Sequence, residues 1–350
     1  MQESFESVKP AHAGYSRATI AAVAELAGVG LSTVSRVVRG APGVSDMTRR
    51  KVEDAIRATG YQVNGVARTL RNNGTLGLVA LVIPDSGDPY FNEIYLHLQG
   101  SFLQRGESLL VGCHVESLSL QKDLLRQMVM NRPAAIVLVP APGTIAEDVE
   151  WIQAQGIPVI ILDRPIDGVD ADTVIAGNEA GAELLVSQFE YREGEKIAIV
   201  SLPTTIWTQK RRFIATRDAL RDRGIDPVVV IEEPALTAPT GSAFAKIVEL
   251  GVETVLSMSI PPAMGVLRLQ KTLGTAPVRI GCFDRHPMFD LVQPEIVSVI
   301  QSSEEVTHQV KYHIERRREN PRAATITSVI TFQPDGEGRT LSGTNQAYRD

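Results

Sequence analysis

The sequence predicts a small all-α module followed by a larger α/β body built as two doubly wound halves. Helix-period apolar spacing is confined to three short segments between residues 19 and 60, each ended by Gly or Pro. From Leu76 onward the pattern changes to short apolar runs separated by amphipathic segments, the signature of buried parallel strands with crossover helices. A chain of 350 residues also exceeds what one core usually supports, so subdivision is expected. Composition excludes other classes. Two cysteines, Cys113 and Cys282, are too few for a disulfide framework or a structural zinc site and point to a reducing compartment. No apolar stretch reaches the ~18–20 residues of a membrane span. Residues 1–16 contain acids and no apolar h-region, and read as a disordered tail rather than a secretory signal.

In the first module, Thr19 is placed to cap a helix whose apolar positions Ile20, Val23, Ala24 and Ala27 share one face. Gly28 permits a left-handed residue where that helix stops. A second helix is expected from about Leu31 to Val38, with Val34, Val37 and Val38 inward and Ser32, Thr33, Ser35 and Arg36 outward. Gly40, Pro42 and Gly43 break it; Ser45 then caps a third helix to about Ala58, burying Val52, Ala55 and Ile56 before Gly60. Small Ala24, turn Gly28 and inward Val34 have the spacing of a helix-turn-helix. Charge agrees with that reading. Residues 17–73 hold nine basic side chains against four acids, a surplus of five, so the rest of the chain carries −11 to reach the net −6. A basic block on an acidic body suggests a polyanion-binding module joined to something else.

ATIAAVAELAGVGLSTVSRVVRG, followed by VSDMTRRKVEDAIRATGYQVNGVARTLR, resembles the headpiece and hinge of the LacI/GalR family of bacterial transcriptional regulators. The segment Ser32-Thr33-Val34-Ser35-Arg36-Val37, the pair Gly60-Tyr61, and Asn64, Ala67, Arg68 and Leu70 carry the resemblance, which extends from about Arg17 to Leu341. It implies base contacts from Leu31, Ser32 and Arg36 in a major groove, and phosphate contacts from Thr19, Thr33, Ser35 and Arg39. It also implies a hinge helix bearing Asn64, Ala67, Arg68 and Leu70 in the minor groove, with Leu70 as a wedge between base pairs. The chain departs from the family pattern in places. Ala22 stands where an acid commonly completes a capping box with Thr19, Gly30 replaces a serine cap, Val63 replaces a proline, and Arg39 adds charge.

In the body, strands are expected within 76–83, 108–115, 134–140 and 158–163, and again within 196–202, 227–232, 254–258 and 278–284. Two facing sheets of this kind place a cleft between their strand carboxyl ends. The arrangement resembles the type I periplasmic-binding-protein-like sensor domain of the family. The implied organisation is a tail (1–16), a headpiece (17–62), a hinge helix and linker (63–75), and an effector-binding and dimerisation body (76–345). The body's N-subdomain is expected at about 76–175 and 303–332, its C-subdomain at about 176–302 and 333–345, with crossings near 175, 302 and 332.

Asp163 and Asp284 end strands that point at the cleft, and Arg212 lies near the start of the helix after Leu202. The resemblance places all three at effector-contacting positions, where carboxylates and a guanidinium fork can grip hydroxyls or an acid. Tyr90, Phe91 and Trp207 are candidates to pack on a ring. Ser259-Ile260 stands where sugar-binding members often carry Asn-Asp, which points to a less hydroxylated sugar, a sugar acid or a non-sugar. Arg316-Arg317-Arg318 reads as a solvated helix end. No GxGxxG follows the first strand, no Walker motif is present, and the six histidines have no metal-ligand spacing, so neither an enzyme nor a cofactor is expected. The expected protein is a cytoplasmic homodimer, or a tetramer, binding pseudo-palindromic double-stranded operator DNA and a small-molecule effector, with no membrane partner. The rival readings are control by a protein partner and a solute-binding protein of the same fold.

Overall fold

Apolar residues at helical spacing make each headpiece helix one-sided, and the three bury those sides together. The computed structural model describes residues 19–38, 41–61, 77–227, 229–232, 241–274, 277–292 and 295–335. It divides into two units, Met1–Leu76 and Gly77–Asp350. In the first, helices α1 (Ile20–Ala27), α2 (Leu31–Val38) and α3 (Asp46–Thr59) enclose Val23, Ala24, Val34, Val37, Val52 and Ala55. Thr19 Oγ1 accepts the Ala22 N–H at 3.3 Å, so the hydroxyl half of the cap forms without the acid. Gly28 adopts φ 65°. Its N–H donates to the Glu25 carbonyl and that of Val29 to the Ala24 carbonyl, a Schellman turn that a side chain at Gly28 would strain. The turn sets α1 and α2 at 105°, within the helix-turn-helix range. Arg39 and the hinge positions Asn64, Ala67, Arg68 and Leu70 lie outside the described residues.

The second unit holds two six-stranded sheets of the same design. In chain order its elements are β1 (Leu78–Ile83), α4 (Pro89–Gln104), β2 (Ser108–Cys113), α5 (Leu118–Met130), β3 (Ala135–Leu138), α6 (Glu147–Gln153), β4 (Val159–Asp163) and β5 (Asp172–Ala176). There follow α7 (Asn178–Ser187), β6 (Ile197–Ser201), α8 (Trp207–Arg221), β7 (Val229–Glu232), α9 (Gly241–Glu249), β8 (Thr254–Ser257), α10 (Ile260–Leu273) and β9 (Arg279–Phe283). Last come β10 (Val297–Gln301), α11 (Ser303–Glu319), β11 (Thr327–Ile330) and β12 (Phe332–Pro334). The sheet orders are β11-β5-β4-β3-β1-β2 and β12-β10-β9-β8-β6-β7. Strand for strand, β4 of one half therefore corresponds to β9 of the other. All pairings are parallel except β10 with β12.

The chain passes between sheets at Gly177, Ser302 and Thr331. Strands β1, β3 and β4 are buried nearly throughout, because helices cover both faces. Four strands that apolar runs do not mark, β5, β10, β11 and β12, complete the sheets beside the crossings.

The arginine run is not a solvated helix end. Arg316 Nη1 and Arg317 Nε reach the fully buried Asp172 carboxylate at 3.0 and 2.6 Å, and the Ile326 N–H donates to it at 2.8 Å. Burial alone would raise the Asp172 pKa, but the hydrogen bonds from Arg317 and Ile326 hold it below the usual carboxylate value. Arg318 grips Glu107 at 2.8 Å and Glu315 at 2.9 Å. The run clasps the end of α11 to the start of β5 and to the end of α4's loop.

Candidate ligand cleft and nucleic-acid interface

Strand carboxyl ends from both halves of the body meet at a cavity of about 260 Å³, just under the ~300–1,000 Å³ usual for ligand pockets and suited to a single-ring molecule. Asp163 ends β4 and Asp284 follows β9, so the two acids hold the same place in the two halves. Both are left-handed, at φ 69° and 65°, a conformation more tolerable for Asp than for most residues. That turn aims both carboxyls into the cleft, where Arg212 joins them from the first turns of α8.

Arg212 is 3% exposed, and its Nε and Nη1 are bonded to protein. Its Nη1 donates to Asp284 Oδ2 at 3.0 Å and to the Met258 carbonyl at 3.0 Å, and its Nε donates to Asn178 Oδ1 at 2.9 Å. Its guanidinium lies 4.5 Å from the Phe283 ring centroid and 5.3 Å from that of Phe332. Asn178 directly follows the first crossing between sheets and Phe332 directly follows the third. One cationic side chain at the cleft thus touches two of the three crossings.

Asp163 faces a second arginine. Arg164 donates to both Glu116 oxygens at 2.6 Å each, to Asp163 Oδ2 at 3.2 Å and to the Pro140 carbonyl at 3.0 Å. Glu116 is delivered by an unusual turn in which Val115 (φ 44°) and Glu116 (φ 58°) are both left-handed. Burial pushes the Asp163 carboxyl above its ordinary pKa, with Arg164 and Arg212 pulling the other way. Asp88, the N-cap of α4, accepts the Tyr90 N–H at 3.0 Å. Desolvation and then the facing Asp284 push its pKa from 3.8 up to about 7. Desolvation and the charges of Asp163 and Asp284 likewise push the Tyr90 phenol well up, so it keeps its proton.

Of the expected effector contacts, Asp163, Arg212, Asp284, Tyr90, Phe91 and Ser259 line this cleft. Trp207 does not. It lies one position before Thr208, about 100° round the helix, and lines a separate 110 Å³ pocket beside Thr205 and Pro165, with Arg211 over its ring at 5.7 Å. Sequence reasoning missed Asp88, Glu116, Arg164 and Gln209. Only Asp88, an acid directly before Pro89 at a helix start, carried a recognisable mark. His286, beside Asp284, also lines the cleft; its Nδ1 accepts the Met288 N–H at 3.1 Å and caps the 3₁₀ turn Pro287–Leu291. Among the described residues no cluster of His, Cys, Asp and Glu is arranged to hold a metal.

In the headpiece, α2 buries Val34 and Val37 and turns Leu31, Ser32 and Arg36 outward. Leu31 is 53% exposed, a large apolar side chain presented to solvent beside polar ones. Arg36 Nη2 donates to the Pro42 carbonyl at 2.7 Å, so its guanidinium is folded onto the following turn. Thr33 and Ser35 are half-buried on the flanks, and Thr19 is exposed at the start of α1. No helix among the described residues is by itself long and apolar enough to cross a membrane.

Comparison with known proteins agrees with this geometry. Residues 19–64 match the family described as bacterial regulatory proteins, lacI family. The chain is 28% identical over 229 residues to the ribose operon repressor of Bacillus subtilis, covering 65% of this chain and 68% of the relative. It is 28% identical over 220 residues to the transcriptional regulator GalR of Escherichia coli, covering 62% of this chain and 64% of the relative. These matches span about two thirds of the relatives' own length. In fold it is similar to the lac repressor dimer bound to operator and the anti-inducer ONPF, with a TM-score of 0.73, 20% identity, and 91% and 98% of the two chains covered. These relatives are transcription regulators, not enzymes. The helix-turn-helix with its outward polar face matches the lacI family over residues 19–64, and the paired sheets share the fold of the lac repressor, so the chain is similar to the LacI/GalR family of bacterial transcriptional regulators.

Proposed function

We propose that this protein is a cytoplasmic, homodimeric repressor of transcription whose affinity for a pseudo-palindromic operator is set by a small molecule held in the body's cleft. The observation that carries the proposal is the cleft itself, a cavity of about 260 Å³ on which the charged side chains Asp163, Arg212 and Asp284 converge. A regulator answering to a protein partner has no need of such a cavity.

In this reading Leu31, Ser32 and Arg36 contact base edges, with Arg36 leaving the Pro42 carbonyl for a guanine. Thr19, Thr33, Ser35 and Arg39 fix register on phosphates. Asn64, Ala67, Arg68 and Leu70 act in the minor groove, where Leu70 wedges between base pairs when two hinges meet. A ligand that bonds Asp284 and Arg212 competes with bonds that also hold Asn178 and pack Phe332, so occupancy alters the crossings and hence the relation of the two halves. The switch is as large as the ligand's difference in affinity for the two arrangements. Arg212→Ala should abolish the ligand's effect on operator binding while leaving unliganded operator affinity within a few-fold, as read by fluorescence anisotropy. Loss of operator binding in that variant would contradict the assignment.

A further inference from the structure

The charges lining the cleft narrow the class of ligand. Five carboxylates, Asp85, Asp88, Glu116, Asp163 and Asp284, face three arginines, Arg164, Arg212 and Arg268. Arg268 is exposed at the rim, where water screens it. Each of the two inner arginines is already paired with a carboxylate of the cleft. Arg164 spends four of its five N–H groups on Glu116, Asp163 and the Pro140 carbonyl. Arg212 is held by Asp284, Asn178 and the Met258 carbonyl. Two helix starts that could cradle an anion are also closed to one. Asp88 places its own carboxylate on the first turn of α4, and Pro261 and Pro262 remove N–H donors from the first turn of α10. Apolar Ile206, Ile260 and Met264 line the same cleft.

Building on the reading of the cleft as the effector site, we propose that it takes an amphipathic ligand without an anionic group. The ligand presents hydroxyl or ammonium donors to Asp88, Asp163 and Asp284 and lays an apolar face on Ile206, Ile260 and Met264. Sugar acids and sugar phosphates are excluded. Glu116 acts here as a positioning residue, since its grip on Arg164 occupies a buried guanidinium that an anion would otherwise find.

The test uses the full-length protein and matched probe sets, read by thermal midpoint and calorimetric titration. The sets are glucose, glucosamine, glucuronate and glucose 6-phosphate; their galactose counterparts; ribose and ribose 5-phosphate; and adenosine with its monophosphate. Binding raises the midpoint by mass action. The expected result is a response from neutral or amino members only, with the anionic counterpart of any responding probe weaker by about 100-fold or more. In Glu116→Gln that gap should narrow by about tenfold or more, because Arg164 becomes available to an acid. The wild-type comparison stands on its own if that variant folds poorly. A uronate or phosphate binding wild type as tightly as its neutral counterpart overturns this proposal and leaves the small-molecule reading standing. Silence from every probe, at millimolar concentration, overturns the small-molecule reading and this proposal with it.

Discussion

Asp88→Asn isolates the electrostatics of the cleft in a stability measurement. The Asp88 carboxyl is half-buried and faces Asp284 and Asp163, and its pKa rises from 3.8 to about 7. Between about pH 4 and 7 the folded protein therefore holds a proton that the unfolded chain has released, so stability falls as pH rises through that window and levels off above it. About three pH units at ~1.4 kcal/mol each set a ceiling of about 4 kcal/mol, and partial exposure reduces the working figure to about 2 kcal/mol. Asparagine keeps the size and the N-cap bond to the Tyr90 N–H but cannot ionise. The variant should match wild type near pH 4 and exceed it by about 2 kcal/mol at pH 8. Urea unfolding followed by tryptophan fluorescence at several pH values reads this out, and both tryptophans, Trp151 and Trp207, lie in the body. A variant whose advantage is constant with pH, or shrinks as pH rises, would refute the argument.

Other consequences follow from named contacts. Asp172→Asn should destabilise the body by about 3–5 kcal/mol, because Arg316 and Arg317 lose the buried charge they share; calorimetry checks it. Gly181→Ala puts a Cβ 2.5 Å from the Phe332 ring and 2.9 Å from Phe283, the two rings beneath Arg212. The crowding should cost about 1–3 kcal/mol and weaken ligand binding more than operator binding, which paired titrations would resolve. Gly28→Ala should lower the headpiece melting temperature through a left-handed residue costing about 1 kcal/mol, seen by circular dichroism of the full chain. Arg36→Ala should reduce affinity for a selected operator by about 1–3 kcal/mol and change non-specific binding far less.

Legibility in the sequence followed burial. The eight strands read from apolar runs all exist, since a strand covered on both faces leaves an unbroken run. β5 and β11 escaped notice because Asp172, Thr173 and Ser328 interrupt them, and β12 is only three residues long. Asp163 and Asp284 are legible because strand ends of this fold face the cleft, whereas Arg212, on α8, is legible only through the family resemblance. Asp88 and Glu116 were not, because their importance comes from neighbours far along the chain: Asp284 for one, Arg164 for the other. The arginine run misled for the same reason, its partners Asp172 and Glu107 lying 144 and 211 residues away. Trp207 shows that placement at a helix start does not fix which way a side chain faces.

The central claim is that the cleft and the headpiece share one equilibrium, and reciprocal titration tests it most directly. Operator affinity is measured with and without a ligand found to occupy the cleft, and ligand affinity is measured with and without operator. Thermodynamic linkage requires the two factors to be equal, and a regulatory switch places them at about 5–150-fold. Equal factors in that range, both collapsing to one in Arg212→Ala, are the predicted result. A ligand that binds the cleft tightly yet leaves operator affinity unchanged would contradict the account.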